Sequence, residues 1–255
     1  MITAVKPINI QVLKFDKIDS TNLEALRLAK KGCREGVCVV ADEQTEGHGR
    51  HGRSWISNKN AGLYLSIVLK PKLEKELLPL ITLMAAVAVF ETLAELYEVT
   101  PDIKWSNDVL INNKKISGIL AESTETKFGF AVILGIGINL NAGNFSSEPE
   151  NNATSIKTET GSQPNRDLLI QTLVRYLTYF YAILEAKDGD AEVRKLWRAR
   201  SSYSSRKHVK ATFSNEIVLG ETVGIEKNGA LRLKLQSGEI IIIQAGDVAA
   251  IRENT

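Results

Sequence analysis

The residues best suited to chemistry lie in one short loop, 47–55, which reads Gly47-His48-Gly49-Arg50-His51-Gly52-Arg53-Ser54-Trp55. Three glycines are interleaved with four side chains that can carry positive charge. Glycine lacks Cβ and permits positive φ, so the backbone can press close to a ligand. Arginine adds a rigid fork of donors that matches phosphate and carboxylate. The loop is built to grip an anion. On this segment alone a solvated basic turn is the other reading, since glycine and charge are common in loops.

Two phosphate motifs overlap here. Gly47-x-Gly49-x-x-Gly52 has the dinucleotide spacing, and Gly47-x-x-x-x-Gly52-Arg53-Ser54 resembles a P-loop with Arg in place of Lys. Both need a strand before the loop and a helix after it, because the helix N-terminus holds the phosphate. A strand is expected at 37–41, but 55–62 is irregular and 63–69 reads as a second strand. Without a helix dipole, the positive charge has to come from side chains.

A second set is Lys104-Trp105-Ser106-Asn107-Asp108 followed by Lys114, Lys115 and Gly118. Asp108 leads into an apolar strand, where a carboxylate needs a cation, a metal or water. Lys115 follows a hairpin turn and offers a compact charge to a phosphoryl oxygen; both turn lysines being simply solvated is the alternative. Ser20, Thr21 and Asn22 suit a helix cap or a polar ligand head equally well. Gly135 and Gly137, ahead of Asn139, let a ring or another backbone come close. The only histidines are His48, His51 and His208, which leaves no Cys–His or Ser–His–Asp set. An anion loop, a lysine and a carboxylate suit phosphoryl or nucleotidyl transfer, without choosing the substrate.

The elements that must position these groups are expected as follows. A strand at 8–15 precedes a helix from Thr21, with Thr21 and Glu24 as a capping box and Gly32 closing it. A long buried helix spans 77–97; strands follow at 103–105, 109–111, 116–123 and 128–140, with Asn112-Asn113 as a hairpin turn. A surface crossing, 141–164, leads to helices at 166–186 and 190–200. The serine-rich 201–205 reads as a linker, and short strands at 209–213, 217–225, 230–235 and 239–244 indicate a small barrel.

Composition sets the bounds. The chain has 255 residues, 44% hydrophobic and 24% charged, with net charge +2, too balanced to announce nucleic acid or a membrane surface. Cys33 and Cys38 are too few for a disulfide scaffold or a zinc site, which fits a reducing, cytoplasmic setting. No leader peptide is expected before Val12.

The ordered series Asp19-Ser20-Thr21-Asn22, Gln44, the 47–53 loop with Trp55, Lys104-Trp105-Ser106-Asn107-Asp108, Lys115-x-x-Gly118-Ile119 and Gly137-Ile138-Asn139 resembles the biotin protein ligase family, in its form without an N-terminal DNA-binding domain. The resemblance covers about 15–140 in fixed order. It implies an α+β fold: a class II synthetase-like mixed sheet with helices (1–203), then a small SH3-like β-barrel (204–255). It implies ATP and Mg²⁺ as cofactors and biotin as substrate: biotin and ATP form biotinyl-5′-AMP, and a lysine of a biotin carboxyl carrier protein or domain takes the biotin. By position, Ser20, Thr21 and Asn22 would hold the biotin head, with Gln44 nearby. His48, Gly49 and Arg50 would lie along biotin and phosphate, Trp55 and Asn139 would meet adenine, and Lys115 and Arg50 would act at the α-phosphate. Apart from the resemblance, Asp108 is the candidate metal residue from its own setting ahead of an apolar strand. No nucleic acid or membrane partner is implied, and a homodimer is left open. His48 stands where the family has Arg, so no permanent charge is assigned there, and Ser106 stands where Pro is common. Lipoate and octanoate ligases or transferases share the fold; the Gly-Arg-rich loop separates them.

Overall fold

The structure is a computed structural model that describes residues 8–141, 152–213 and 216–251. Seven strands form a mixed sheet in the order β1-β2-β3-β7-β6-β5-β4. They are β1 (Gln11–Ile18), β2 (Val37–Gln44), β3 (Gly62–Leu69), β4 (Asp102–Lys104), β5 (Asp108–Ile111), β6 (Lys114–Thr126) and β7 (Gly129–Asn139). Only β1 and β2 pair in parallel, and α1 (Thr21–Lys30) makes the crossover that a parallel pair requires. Register with β2 places the first strand at Gln11–Ile18 rather than at 8–15.

Alternation along the strands explains the layers. In β3, Leu63, Leu65, Ile67 and Leu69 face a core shared with three helices, α2 (Leu80–Tyr97), α4 (Arg166–Leu184) and α5 (Gly189–Arg198). Val68, with Ala131 and Ile133 of β7, faces α1 on the opposite side. Helix α2 is apolar and long enough to cross a membrane, but its residues from Leu80 to Leu93 are largely packed into this core. The hairpin turn is as expected, with Asn112 and Asn113 both at positive φ (52° and 61°).

Three expectations are corrected. Thr21 does not cap α1: the cap is Ser20, with no side-chain bond, and the Thr21 N–H is taken instead by Gln44 Oε1 at 2.7 Å. A side chain on the neighbouring strand has satisfied a donor that a capping box would otherwise serve. Of the 141–164 crossing, 142–151 lies outside the described residues; beyond it stands α3 (Ile156–Thr160), capped by Ser155 and closed by Gly161 at φ 70°. The 201–205 segment is no free linker. Ser201 and Tyr203 are buried, Ser201 Oγ donates to the Ile103 carbonyl (2.6 Å), and Ser202 donates through N and Oγ to Asp102.

The C-terminal part is a five-stranded antiparallel sheet ordered β11-β10-β9-β8-β12, from β8 (His208–Phe213), β9 (Glu216–Ile225), β10 (Leu231–Leu235), β11 (Ile240–Ile243) and β12 (Asp247–Ala250). The last strand was not anticipated. Trp105, buried, donates its indole N–H to the Gly229 carbonyl at 2.9 Å and so joins the two sheets. Gly229 has φ 85°, and a Cβ there would lie 2.9 Å from Leu83.

With so much buried between them, the two sheets should unfold together. Calorimetry is expected to show one transition, and Trp105→Phe, which orphans the Gly229 carbonyl, should lower stability by about 1–3 kcal/mol. Two separated transitions in the wild type would contradict this coupling.

Candidate functional site

The site lies on the α1 face of the large sheet, where that helix no longer covers it. Alternation brings Ser66 and Tyr64 of β3, Gly135 and Gly137 of β7, and Gly118 and Leu120 of β6 to this face. All but Ser66, which sits behind the wall, line one pocket. The glycines hollow it out. A Cβ on Gly135 would lie 2.2 Å from Asn22 Oδ1, and one on Gly137 would lie 2.5 Å from the Trp55 indole.

At one end stands the head of α1. Ser20, Thr21 and Asn22 are buried, and a chain of hydrogen bonds fixes them. The Ser66 hydroxyl lies 2.7 Å from Thr21 Oγ1 and donates to Asn22 Oδ1 at 2.6 Å. Gln44 receives the Thr21 N–H and donates Nε2 to Ser57 Oγ (2.7 Å), which donates to the Trp55 carbonyl (3.0 Å). The expected biotin-head residues and the base of the loop therefore belong to one network.

The 47–55 loop is a small closed turn. Gly49 N donates to the Arg53 carbonyl (2.7 Å), Trp55 N donates to the Gly47 carbonyl (2.8 Å), and His51 and Gly52 adopt positive φ between them. Clustered cations alone would push it open, but carboxylate and carbonyl oxygens offset them. Arg50 Nη1 donates to Ser106 Oγ (2.7 Å), Asn107 Oδ1 (3.0 Å) and the Gly246 carbonyl (3.1 Å), and Arg53 pairs with Asp247 at 2.5 Å. Strand β12 thus supplies a carboxylate to the anion loop. Ser106 places a hydroxyl where Arg50 uses it.

Trp55 lies flat in the pocket against Gly118 and Gly137, with Lys115 Nζ 5.3 Å from its ring centroid. The expected partner for that ring was adenine; here the ring fills the hollow itself, and its indole N–H is buried without a partner among the described residues. Lys115 Nζ is also 3.1 Å from Asp108 Oδ1, and Lys104 Nζ is 3.2 Å from Asp108 Oδ2. Burial pushes the Asp108 carboxyl up, and the two ammonium groups outweigh it, holding it below its ordinary value.

Both oxygens of Asp108 face lysines, which makes it their counter-ion in this structure; among the described residues no three His, Cys, Asp or Glu side chains gather to hold a metal. Asn139 does not line the pocket. Its amide donates to the Thr154 carbonyl (2.9 Å), which pins 152–154 beside Lys115, whose own N–H donates to Asn152 O (2.7 Å). His48, Gly49, Arg50, Gln44, Trp55 and Lys115 all reach the pocket. Sequence reasoning missed Ser57, Ser66, Glu122 and Asp247. Ser66 was detectable as a small hydroxyl inside an apolar strand; Asp247 lay on a strand not recognised.

The Biotin/lipoate A/B protein ligase family matches residues 12–139, and the Biotin protein ligase C terminal domain matches 207–249. The chain is 36% identical to the "Bifunctional ligase/repressor BirA" of Bacillus spizizenii over 88% of this chain and 69% of that one. It is 31% identical to the "Biotin--[acetyl-CoA-carboxylase] ligase" of Mycobacterium tuberculosis over 91% and 86%. The structure of "Biotin protein ligase from Aquifex aeolicus in complex with biotin and ATP" is similar with a TM-score of 0.79 at 29% identity, covering 95% of this chain and 99% of that one.

The Asp108 cluster yields a pH test. A carboxyl held below its ordinary value contributes stability above the unfolded pKa of about 3.9, and that contribution is lost as pH falls through the folded value. Asp108→Asn should cost about 1–3 kcal/mol at neutral pH by removing the carboxylate that Lys104 and Lys115 share, and the gap to wild type should narrow only below about pH 4. A gap that closes already at neutral pH, measured by denaturant melts, would contradict this pairing.

Proposed function

The chain belongs to the biotin/lipoate A/B protein ligase family, and from that premise and its site we infer that it is a biotin protein ligase. It joins biotin and ATP into biotinyl-5′-AMP with release of diphosphate. The biotinyl group then passes to a lysine of a biotin carboxyl carrier protein, and AMP leaves. The observation that carries this reading is the convergence of Lys115, Arg50 and the polar head of α1 on one pocket.

The chemistry follows from charge. A biotin carboxylate must approach the α-phosphorus of a polyanion, so the site has to cancel their repulsion. Arg50 and Lys115 are placed to receive the negative charge that grows on the non-bridging oxygens as the bond to phosphorus forms. Ser20, Thr21 and Asn22, with Gln44 behind them, hold the ring head of biotin. His48 and Gly49 border its chain, and Trp55 swings from the Gly118–Gly137 hollow to cover the adenine. Asn139 acts from behind by fixing the backbone at Lys115. Mg²⁺ bound to ATP would supply charge neutralisation along the polyphosphate. Closure of the 47–55 loop would then shield the mixed anhydride from water.

We assign residues 1–203 to catalysis and 204–255 to the C-terminal module, whose Asp247 reaches back to the loop. The balanced charge of +2 supports an enzyme without specific DNA binding, and its two free cysteines fit a reducing, cytoplasmic setting. A homodimer is compatible with this reading, and sedimentation with and without a DNA duplex checks both points.

Lys115→Ala should leave the protein folded and still able to bind biotin, but should slow adenylate formation by about 10²–10³. Biotin-dependent ATP–diphosphate exchange, with circular dichroism as the fold control, measures it. A near wild-type exchange rate would remove Lys115 from the chemistry.

A further inference from the structure

We propose that Glu122 is a positioning residue of the biotin pocket, a single carboxylate that orients Asn22 and anchors the 47–55 loop through His48. The proposal rests on the biotin ligase reading and adds a residue to it. Alternation along β6 sets Gly118, Leu120 and Glu122 on one face, so the carboxylate stands at the end of the pocket just past Leu120.

Its Oε2 receives Asn22 Nδ2 at 2.6 Å and lies 3.5 Å from His48 Nε2. An ionised carboxylate only accepts hydrogen bonds. Asn22 must therefore present nitrogen to Glu122 and oxygen to the Ser66 hydroxyl, 2.6 Å away on the other side. The amide next to the expected biotin head is left with one orientation.

The second half of the device is His48. Its Nδ1 faces the Glu46 carbonyl at 3.3 Å while Nε2 faces Glu122. Both ring nitrogens look at acceptors, and an imidazole has two N–H donors only when protonated. Among the described residues, β6 brings the Glu122 carboxylate to it and the loop brings the Glu46 carbonyl. Arg50 and Arg53 turn the other way, to Asn107 and Asp247. The imidazole beside the carboxylate ties the loop to β6. Both side chains are partly exposed, 29% for His48 and 48% for Glu122, so the effect is several-fold and not larger.

The test measures KM for biotin and kcat in biotin-dependent ATP–diphosphate exchange. The proteins are wild type, Glu122→Gln and His48→Arg. Glu122→Gln is expected to raise the biotin KM about three- to ten-fold, with kcat little changed. His48→Arg keeps a donor within reach of Glu122 and should leave the biotin KM within about two-fold of wild type. An unaltered biotin KM in Glu122→Gln, or a His48→Arg biotin KM raised as far as that of Glu122→Gln, would overturn the proposal while leaving the ligase reading intact. Absence of exchange in the wild type would overturn both.

Discussion

Like charges have to be held together in this site, and the way they are held organises everything around it. Lys104, Lys115, Arg50 and Arg53 converge on one side of a sheet and would repel one another in the absence of ligand. Two carboxylates prevent that. Asp108 sits between the two lysines, and Asp247 receives Arg53 and lies near Arg50. Because these are internal anions, an incoming polyphosphate exchanges one set of charge pairs for another instead of assembling a cationic site from nothing. The desolvation of the cations is already met in the folded protein, which is the condition under which such groups stabilise developing charge without further reorganisation. Asp247 comes from the small sheet, so the C-terminal strands belong to the electrostatics of the site. Their burial against Trp105 and Leu83 fixes that carboxylate in place.

The other requirement is room. A sheet face lined by ordinary side chains would leave no hollow for a bicyclic ring and a nucleotide. Gly118, Gly135 and Gly137 remove three side chains from adjacent positions on β6 and β7, and the freed space accepts Asn22 on one side and the Trp55 indole on the other. An indole N–H buried without a partner is a costly arrangement, on the order of 1–3 kcal/mol. That cost makes the indole displaceable: a ligand entering the hollow gives the ring a reason to move and the N–H a chance of a partner.

Much of this was legible in the residues themselves. The loop, Lys115, Gln44 and the α1 head are groups whose type and order carry the chemistry, and the structure brings them to one pocket. Strands 63–69 and 109–111 were readable because alternation and turn residues are local signals. What was not legible depended on partners distant in the chain. Thr21 looked like a cap because Gln44, 23 residues away, cannot be seen to take its N–H. The 201–205 serines looked like a linker because their carbonyl and carboxylate partners, Ile103 and Asp102, lie about a hundred residues earlier. Asn139 and Asp108 were read toward ligands, yet each is occupied by protein groups whose position only the sheet register sets.

The central claim is that internal carboxylates and the Trp55 ring hold the site ready and give way to the ligand. A crystal structure of this chain with biotinyl-5′-AMP, or a stable analogue of it, tests that most directly. The account predicts the indole outside the Gly118–Gly137 hollow, with Arg50 and Lys115 on the phosphate oxygens and Arg53 released from Asp247. A bound adenylate with the indole still in the hollow and both the Lys115–Asp108 and Arg53–Asp247 pairs unbroken would contradict it.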